Sequence, residues 1–162
     1  MPFRAVNRRG KPGYDPGLQR HHLLPLQLLA RSSLHRMFAA IGGEHHRFDD
    51  FRTNGLLLPC AEPAALRLML PLHRGPHRHY SGLVMERVGQ IEATWARTRC
   101  RNAETAALHA RMRLNLLQRA LRRFLLDCRS RRLLLNRRDP LRTSSDFSDL
   151  DAVADALWGA TG

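Results

Sequence analysis

Histidines are the residues in this chain best equipped for chemistry, and their spacing says more than their number. Of nine histidines, five fall in two short segments, Arg20-His21-His22-Leu23-Leu24-Pro25 and His73-Arg74-Gly75-Pro76-His77-Arg78-His79-Tyr80. An imidazole with its ordinary pKa near 6.5 is largely neutral at pH 7, so it can ligate a divalent cation or take a proton from water. Neighbours on an extended segment point to opposite sides, which lets His21 and His22 serve different partners. His73 and His77 stand four apart, a spacing that places two imidazoles on one side of a helical turn and suits chelation of one cation. Gly75 and Pro76 interrupt that segment, so His73 is expected just ahead of a helix rather than within it. Each pattern has a bland counterpart. An HxxxH pair also describes two surface histidines at a helix start, and His45-His46 reads as a solvated loop. His79 faces away from the His77 stripe by helical geometry, which leaves it a phosphate contact or a bystander.

A third segment, Thr53-Asn54-Gly55-Leu56-Leu57-Leu58-Pro59, reads as a turn feeding a short buried strand. In order and at these distances, the three segments resemble the HNH/endonuclease VII superfamily, specifically the AHH-type nucleases found among bacterial polymorphic toxins. The resemblance spans roughly residues 17–91 and departs from the family name at one place, where Arg20 stands instead of alanine. It implies an α+β, mostly helical fold: a ββα-metal core (His-Me finger, treble-clef-like) with added helices. It also implies one divalent cation (Mg, Mn, Ni or Zn) on His21, His73 and His77, and His22 as general base. Asn54 is similar to the residue that braces the loop carrying the histidine pair, although it could equally just start the turn. The function implied is a metal-dependent endonuclease that hydrolyses DNA phosphodiesters with little sequence specificity. The alternative is a non-catalytic nucleic-acid-binding protein holding a structural zinc on the same histidines.

The elements that must position these groups are mostly helices. Leu28, Leu29, Leu34, Met37, Phe38 and Ile41 recur at helical spacing, giving a helix over 27–41 that stops at Gly42-Gly43. Residues 62–70 suit a short helix bounded by Pro63 and Pro71. His77, Tyr80, Val84, Val88, Ile91 and Trp95 share one face of a helix over 76–98. A last helix over 103–138, capped by Asn102, carries Ala110, Leu114, Leu117, Leu121, Phe124 and Cys128 on its apolar stripe. Four regions follow: a flexible basic arm (1–17, rich in Gly and Pro), a nuclease core (18–98), an Arg-rich long helix packed on the core (99–142) and an acidic tail (143–162). The tail sets Asp146, Asp149, Asp151 and Asp155 beside Phe147, Leu150, Val153, Leu157 and Trp158, as a short amphipathic helix would.

Charge points to the partner. Lys and Arg total 27 against 14 Asp and Glu, a formal +13, with Lys11 the only lysine. Such an excess attracts a polyanion through counterion release, and nucleic acid, DNA rather than RNA, is the expected one. Arg8, Arg9 and Lys11 on the arm, with Arg111, Arg122 and Arg129 on the last helix, are the expected phosphate contacts. An acidic immunity protein is a second possible partner. Cys60, Cys100 and Cys128 form no CxxC pair and suggest small apolar residues in a reducing compartment. The N-terminal stretch lacks the apolar run of a secretory signal, and no stretch approaches the length needed to cross a membrane. The expected setting is cytoplasmic, or exported as a toxin effector by a route the sequence does not reveal.

Overall fold

A computed structural model describes residues 1–42, 48–127, 135–136 and 138–141. Two short strands form its only sheet among the described residues. Strand β1 (Leu18–His22) pairs antiparallel with β2 (Gly55–Pro59), His21 opposite Leu56 and His22 opposite Gly55. The helices are α1 (Ser32–Ala40), the single turn α2 (Phe51–Asn54), α3 (Glu62–Leu68), and the long pair α4 (Arg78–Thr98) and α5 (Ala103–Leu126). The fold is α+β and mostly helical.

The long helices supply the rigid body. Tyr80, Val84, Val88, Ile91 and Trp95 of α4 are buried, as are Ala106, Ala110, Leu114, Leu117, Leu121 and Leu125 of α5. Both sets recur every three or four residues, so each helix turns one apolar stripe inward. Leu34, Met37 and Phe38 of α1, together with Leu23, Leu24, Leu28 and Leu58 around the sheet, close the same core. The Asn102 side chain caps α5 by accepting from the Thr105 N–H at 2.9 Å, satisfying one of the first-turn donors that a helix leaves free.

Three expectations are corrected by the structure. Helix 27–41 is broken: a 3-10 turn over Leu26–Ala30 precedes α1, and Leu29 lies exposed. Helix 103–138 ends at Leu126, and the chain at Leu135, Asn136 and 138–141 is irregular. Cys128 and the acidic tail lie outside the described residues. The first 17 residues, expected to be a flexible arm, are fixed to the core by specific contacts. Phe3 and Val6 are buried, Pro2 bridges to Asp50, and the Asn7 side chain donates to the carbonyls of Asp15 and Leu18 at 2.8 Å each. Gly and Pro shape turns here, and two apolar side chains among the arginines hold the segment down.

Gly55 is also used differently from the turn glycine that Asn54-Gly55 suggests. Its backbone is extended, φ −112° and ψ 153°, a conformation open to any residue. The constraint is space, because a Cβ at Gly55 would overlap the ring of Phe51. That ring packs edge-on against Phe3 at 5.2 Å, so it has little freedom to yield. Gly55→Ala should therefore cost about 1–3 kcal/mol in a denaturant titration, the usual range for overpacking. Added to Phe51→Ala it should cost little more than Phe51→Ala alone; full additivity would refute the steric explanation.

Candidate metal centre

Strand pleating decides where the histidine pair goes. His21 turns toward α4 and is only 4% exposed, whereas His22 turns the other way and remains half-buried. Its imidazole stacks on the Phe3 ring, centroids 3.7 Å apart and planes within 4°. His73 is drawn to the end of the sheet by its own N–H, which donates to the Pro59 carbonyl at 2.6 Å. His77 lies immediately before α4 as its N-cap residue. The three imidazoles of His21, His73 and His77 consequently face one another, each offering one ligand atom, all within 4.8 Å of one another.

The ring nitrogens indicate what such a cluster is suited to hold. His21 Nε2 and His73 Nδ1 are buried with no hydrogen-bond partner, a state that costs about 1–3 kcal/mol per atom unless a ligand satisfies it. His77 Nδ1 sits 2.9 Å from the Leu135 carbonyl. A carbonyl can only accept, so Nδ1 carries the proton and Nε2 keeps its lone pair free for ligation. Three neutral nitrogens converging in this way fit a divalent cation with open coordination positions. Burial first, then repulsion from His73, His77 and His22, pushes the His21 pKa down to about 2. Burial and then His77 push His73 down to about 4. These two rings thus stay unprotonated at neutral pH, and protons do not compete for the lone pairs.

The chain around the pair is held by polar anchors. Asn54, fully buried, accepts the Leu24 N–H at 2.7 Å through Oδ1 and donates through Nδ2 to the carbonyls of Leu24 and Phe48 at 3.1 Å each. Gln118 of α5 completes the set, its Nε2 donating to Asn54 Oδ1 at 3.1 Å. The Tyr80 hydroxyl donates to the Leu23 carbonyl at 2.6 Å, and burial raises its pKa so that it remains a donor. Sequence reasoning gave Tyr80 only a packing role and missed Phe3 and Gln118. For Gln118 a signal existed: a polar side chain four residues after Leu114 and three before Leu121 sits on the apolar stripe.

The three histidines and His22 open into one cleft of about 720 Å³, lined also by Arg20, Arg31 and Arg78. The model of the AHH family, a nuclease family of the HNH/ENDO VII superfamily with conserved AHH, matches residues 2–121. The chain belongs to this family. No curated protein and no solved structure matches it. In this AHH nuclease the residue standing in place of alanine, Arg20, is exposed and donates to the Phe3 carbonyl at 2.8 Å, so the strand accommodates it without disturbing the pair.

The expected phosphate contacts are spread unevenly. Arg8 and Arg9 line a second cleft of about 590 Å³ with Arg4, Tyr14 and Arg20, and Arg20 belongs to both clefts. Lys11 is exposed nearby in sequence. Arg111 lines a separate cleft with Ala40, Ile41 and Ala103. Arg122 is half-buried and donates to the Arg52 carbonyl at 2.8 Å, which ties α5 to the turn before β2. Arg129 lies outside the described residues, and His79 is exposed. Among the described residues no helix is long and apolar enough to cross a membrane.

The buried histidines predict an acid-sensitive fold. Because the folded pKa of His21 lies below its ordinary 6.5, the unfolded chain binds a proton below pH 6.5 that the folded chain refuses. Stability should therefore fall as the pH drops through that value, by about 2 kcal/mol at pH 5 from His21 alone. The check is urea unfolding in chelator at pH 7 and pH 5, with His21→Leu alongside. The variant should lose about that much of the pH dependence, and an unchanged difference would contradict the assigned cause.

Proposed function

We propose that this nuclease is a divalent-metal-dependent endonuclease that cleaves DNA phosphodiesters with little sequence preference. In this reading His21, His73 and His77 hold one cation and His22 is the general base. The observation that carries it is the convergence of three histidines, two of them with unpartnered, buried nitrogens, while His22, on the opposite side of the strand from His21, opens into the same arginine-lined cleft. When bound, the cation supplies Lewis acidity toward a phosphate oxygen and toward charge growing on the leaving oxygen. His22 takes the proton of the attacking water. Burial lowers its pKa, Asp49 works in the opposite direction, and Arg20 lowers it again; the net shift keeps the ring neutral and able to accept. The Phe3 ring beneath it restricts the imidazole plane. Arg20, Arg31 and Arg78 would hold the phosphate backbone in the cleft. Among the described residues Tyr80 is the only lining aromatic besides the imidazoles, and it is buried, which favours backbone contact over base readout by stacking.

The test is a plasmid-nicking assay across Mg²⁺, Mn²⁺, Ni²⁺ and Zn²⁺, with an RNA of similar length as the comparison. His22→Ala should lower turnover by 10²-fold or more and leave metal affinity nearly intact in calorimetry, whereas His77→Ala should lose the metal. Parental cleavage by His22→Ala would eliminate that base. Binding without cleavage under every metal would favour the non-catalytic zinc protein instead.

Arg20 joins the histidine cleft to the one lined by Arg4, Arg8 and Arg9, so in this reading the strand continues from the reacting phosphate along the N-terminal segment. Duplex affinity measured in chelator against salt should lose slope in the Arg8→Ala/Arg9→Ala double variant, by about 0.9 for each phosphate contact removed. Arg111→Ala, at the separate cleft, should change the slope much less. An equal change per arginine at both places would indicate a diffuse field instead of a track.

A further inference from the structure

The family match ends at residue 121, yet the loop carrying two of the three histidines is held by chain well beyond it. Between Leu68 and Arg78 there is no helix or strand, and Gly75 turns through a left-handed φ of 82°. Besides the His73 N–H on Pro59 and the His77 carbonyl, which accepts the Ser81 N–H at 2.8 Å, the described residues Leu135, Asn136 and Asp139 make polar contacts to this loop. The Leu135 carbonyl accepts from His77 Nδ1 at 2.9 Å. Asp139 Oδ2 accepts the N–H of Leu72, the residue before His73, at 2.8 Å. The Asn136 side chain donates to the Arg74 carbonyl, one residue after His73.

The clamp is braced from within. Asp139 Oδ1 accepts the Leu141 N–H at 2.9 Å, and Asn136 Oδ1 accepts the Arg138 N–H at 2.8 Å. Both Leu135 and Asp139 are buried, at 4% and 5% exposure. A buried carboxylate with both oxygens committed to backbone amides is costly to place without those bonds. Here the bonds reach the two sides of one function: one oxygen holds its own turn, the other holds the ligand loop.

We propose that residues 135–136 and 138–141 are a positioning clamp for the metal centre, and that Asp139 is its principal positioning residue. The clamp sets the reach of His73 by holding Leu72 and Arg74, and it sets the tautomer of His77 by accepting its Nδ1 proton, which aims Nε2 at the cation. The proposal rests on the reading of His21, His73 and His77 as ligands, but half of it, the tautomer, belongs to the metal-free protein and can be tested separately.

The experiment uses the full chain and the variants Asp139→Ala, Asp139→Asn and Asn136→Ala. Long-range proton–nitrogen NMR at pH 7.5 in chelator should report a single Nδ1-protonated His77 in the parent and a mixture of tautomers in Asp139→Ala. Calorimetric titration with Zn²⁺ alone should give 10- to 100-fold weaker binding for Asp139→Ala, the usual loss when a ligand's support is removed. Asp139→Asn keeps one acceptor oxygen but sets an NH2 donor against the second backbone amide, so its affinity should fall between those of the parent and Asp139→Ala. If Asp139→Ala does not fold, Asn136→Ala carries the same test at the Arg74 side, with a smaller fall in affinity and a folded spectrum. Parental affinity and a single His77 tautomer in a folded clamp variant would overturn the proposal. A parent that binds no Zn²⁺ but keeps the single tautomer would refute the ligand reading and leave the tautomer half standing.

Discussion

Two buried imidazole nitrogens without hydrogen-bond partners, His21 Nε2 and His73 Nδ1, are the constraint around which the rest of this structure is organised. Left alone, each ring would gain by turning toward water or a backbone group. What prevents this is a cage of contacts. His73 is tied to β2 through its backbone, His77 is tied to Leu135, and His21 lies edge-on to Tyr80 at 4.9 Å. Tyr80 is in turn hydrogen-bonded to the carbonyl just past the pair. The apolar stripes of α4 and α5 supply the burial that offsets this unfavourable arrangement, at roughly 25 cal/mol for each Å² of apolar surface removed from water.

Asn54 connects that cage to the helices. Its side chain has two donor hydrogens and an oxygen with two lone pairs, and all four are engaged, with Leu24 twice, Phe48 and Gln118. A buried polar group satisfied this fully fixes one arrangement of its neighbours, because any displacement leaves several partners unpaired at once. One of those neighbours is the backbone two residues after His22, and another is a side chain of α5. The position of the histidine pair is thereby referenced to the long helix rather than to the two-stranded sheet, which alone would be marginal.

Much of this was legible in the sequence, for reasons that differ by element. The stripe from Tyr80 to Trp95 read correctly because burial of a long helix imposes a period that short-range chemistry cannot mimic. The opposite facing of His21 and His22 followed from strand alternation, a local rule, whereas His73 and His77 meet across a loop outside any helix, so four-residue spacing alone does not account for their convergence. Phe3, Gln118 and Asp139 escaped, since each acts on a partner 19 or more positions away and nothing in its neighbourhood marks the partner. Glycine at 55 misled in kind: the dipeptide signals a turn, while the requirement is room for the Phe51 ring, a contact that exists only after α2 has formed. The N-terminal arm misled by composition, because Gly, Pro and Arg suggest mobility, whereas a few dispersed contacts, Phe3 on His22, buried Val6 and the Asn7 hydrogen bonds, anchor it.

The pleat of β1 also places two chemically identical side chains in different environments, which the proposed ligand and base roles would each require. His21 faces inward, where burial and two neighbouring imidazoles strip it of any tendency to protonate. That environment suits the ligand role proposed for His21 better than a base role, because a proton acceptor needs some affinity for the proton it receives. His22 faces outward, where Asp49 opposes the effect of partial burial and Phe3 limits the ring's orientation without offering it a hydrogen bond. The two environments differ because the side chains lie on opposite sides of the strand, His21 against His73 and His77 and His22 against Phe3. Shifting the register by one residue would exchange the two environments, and the bonds of Asn54 to Leu24, two residues downstream, are what hold the register against that exchange.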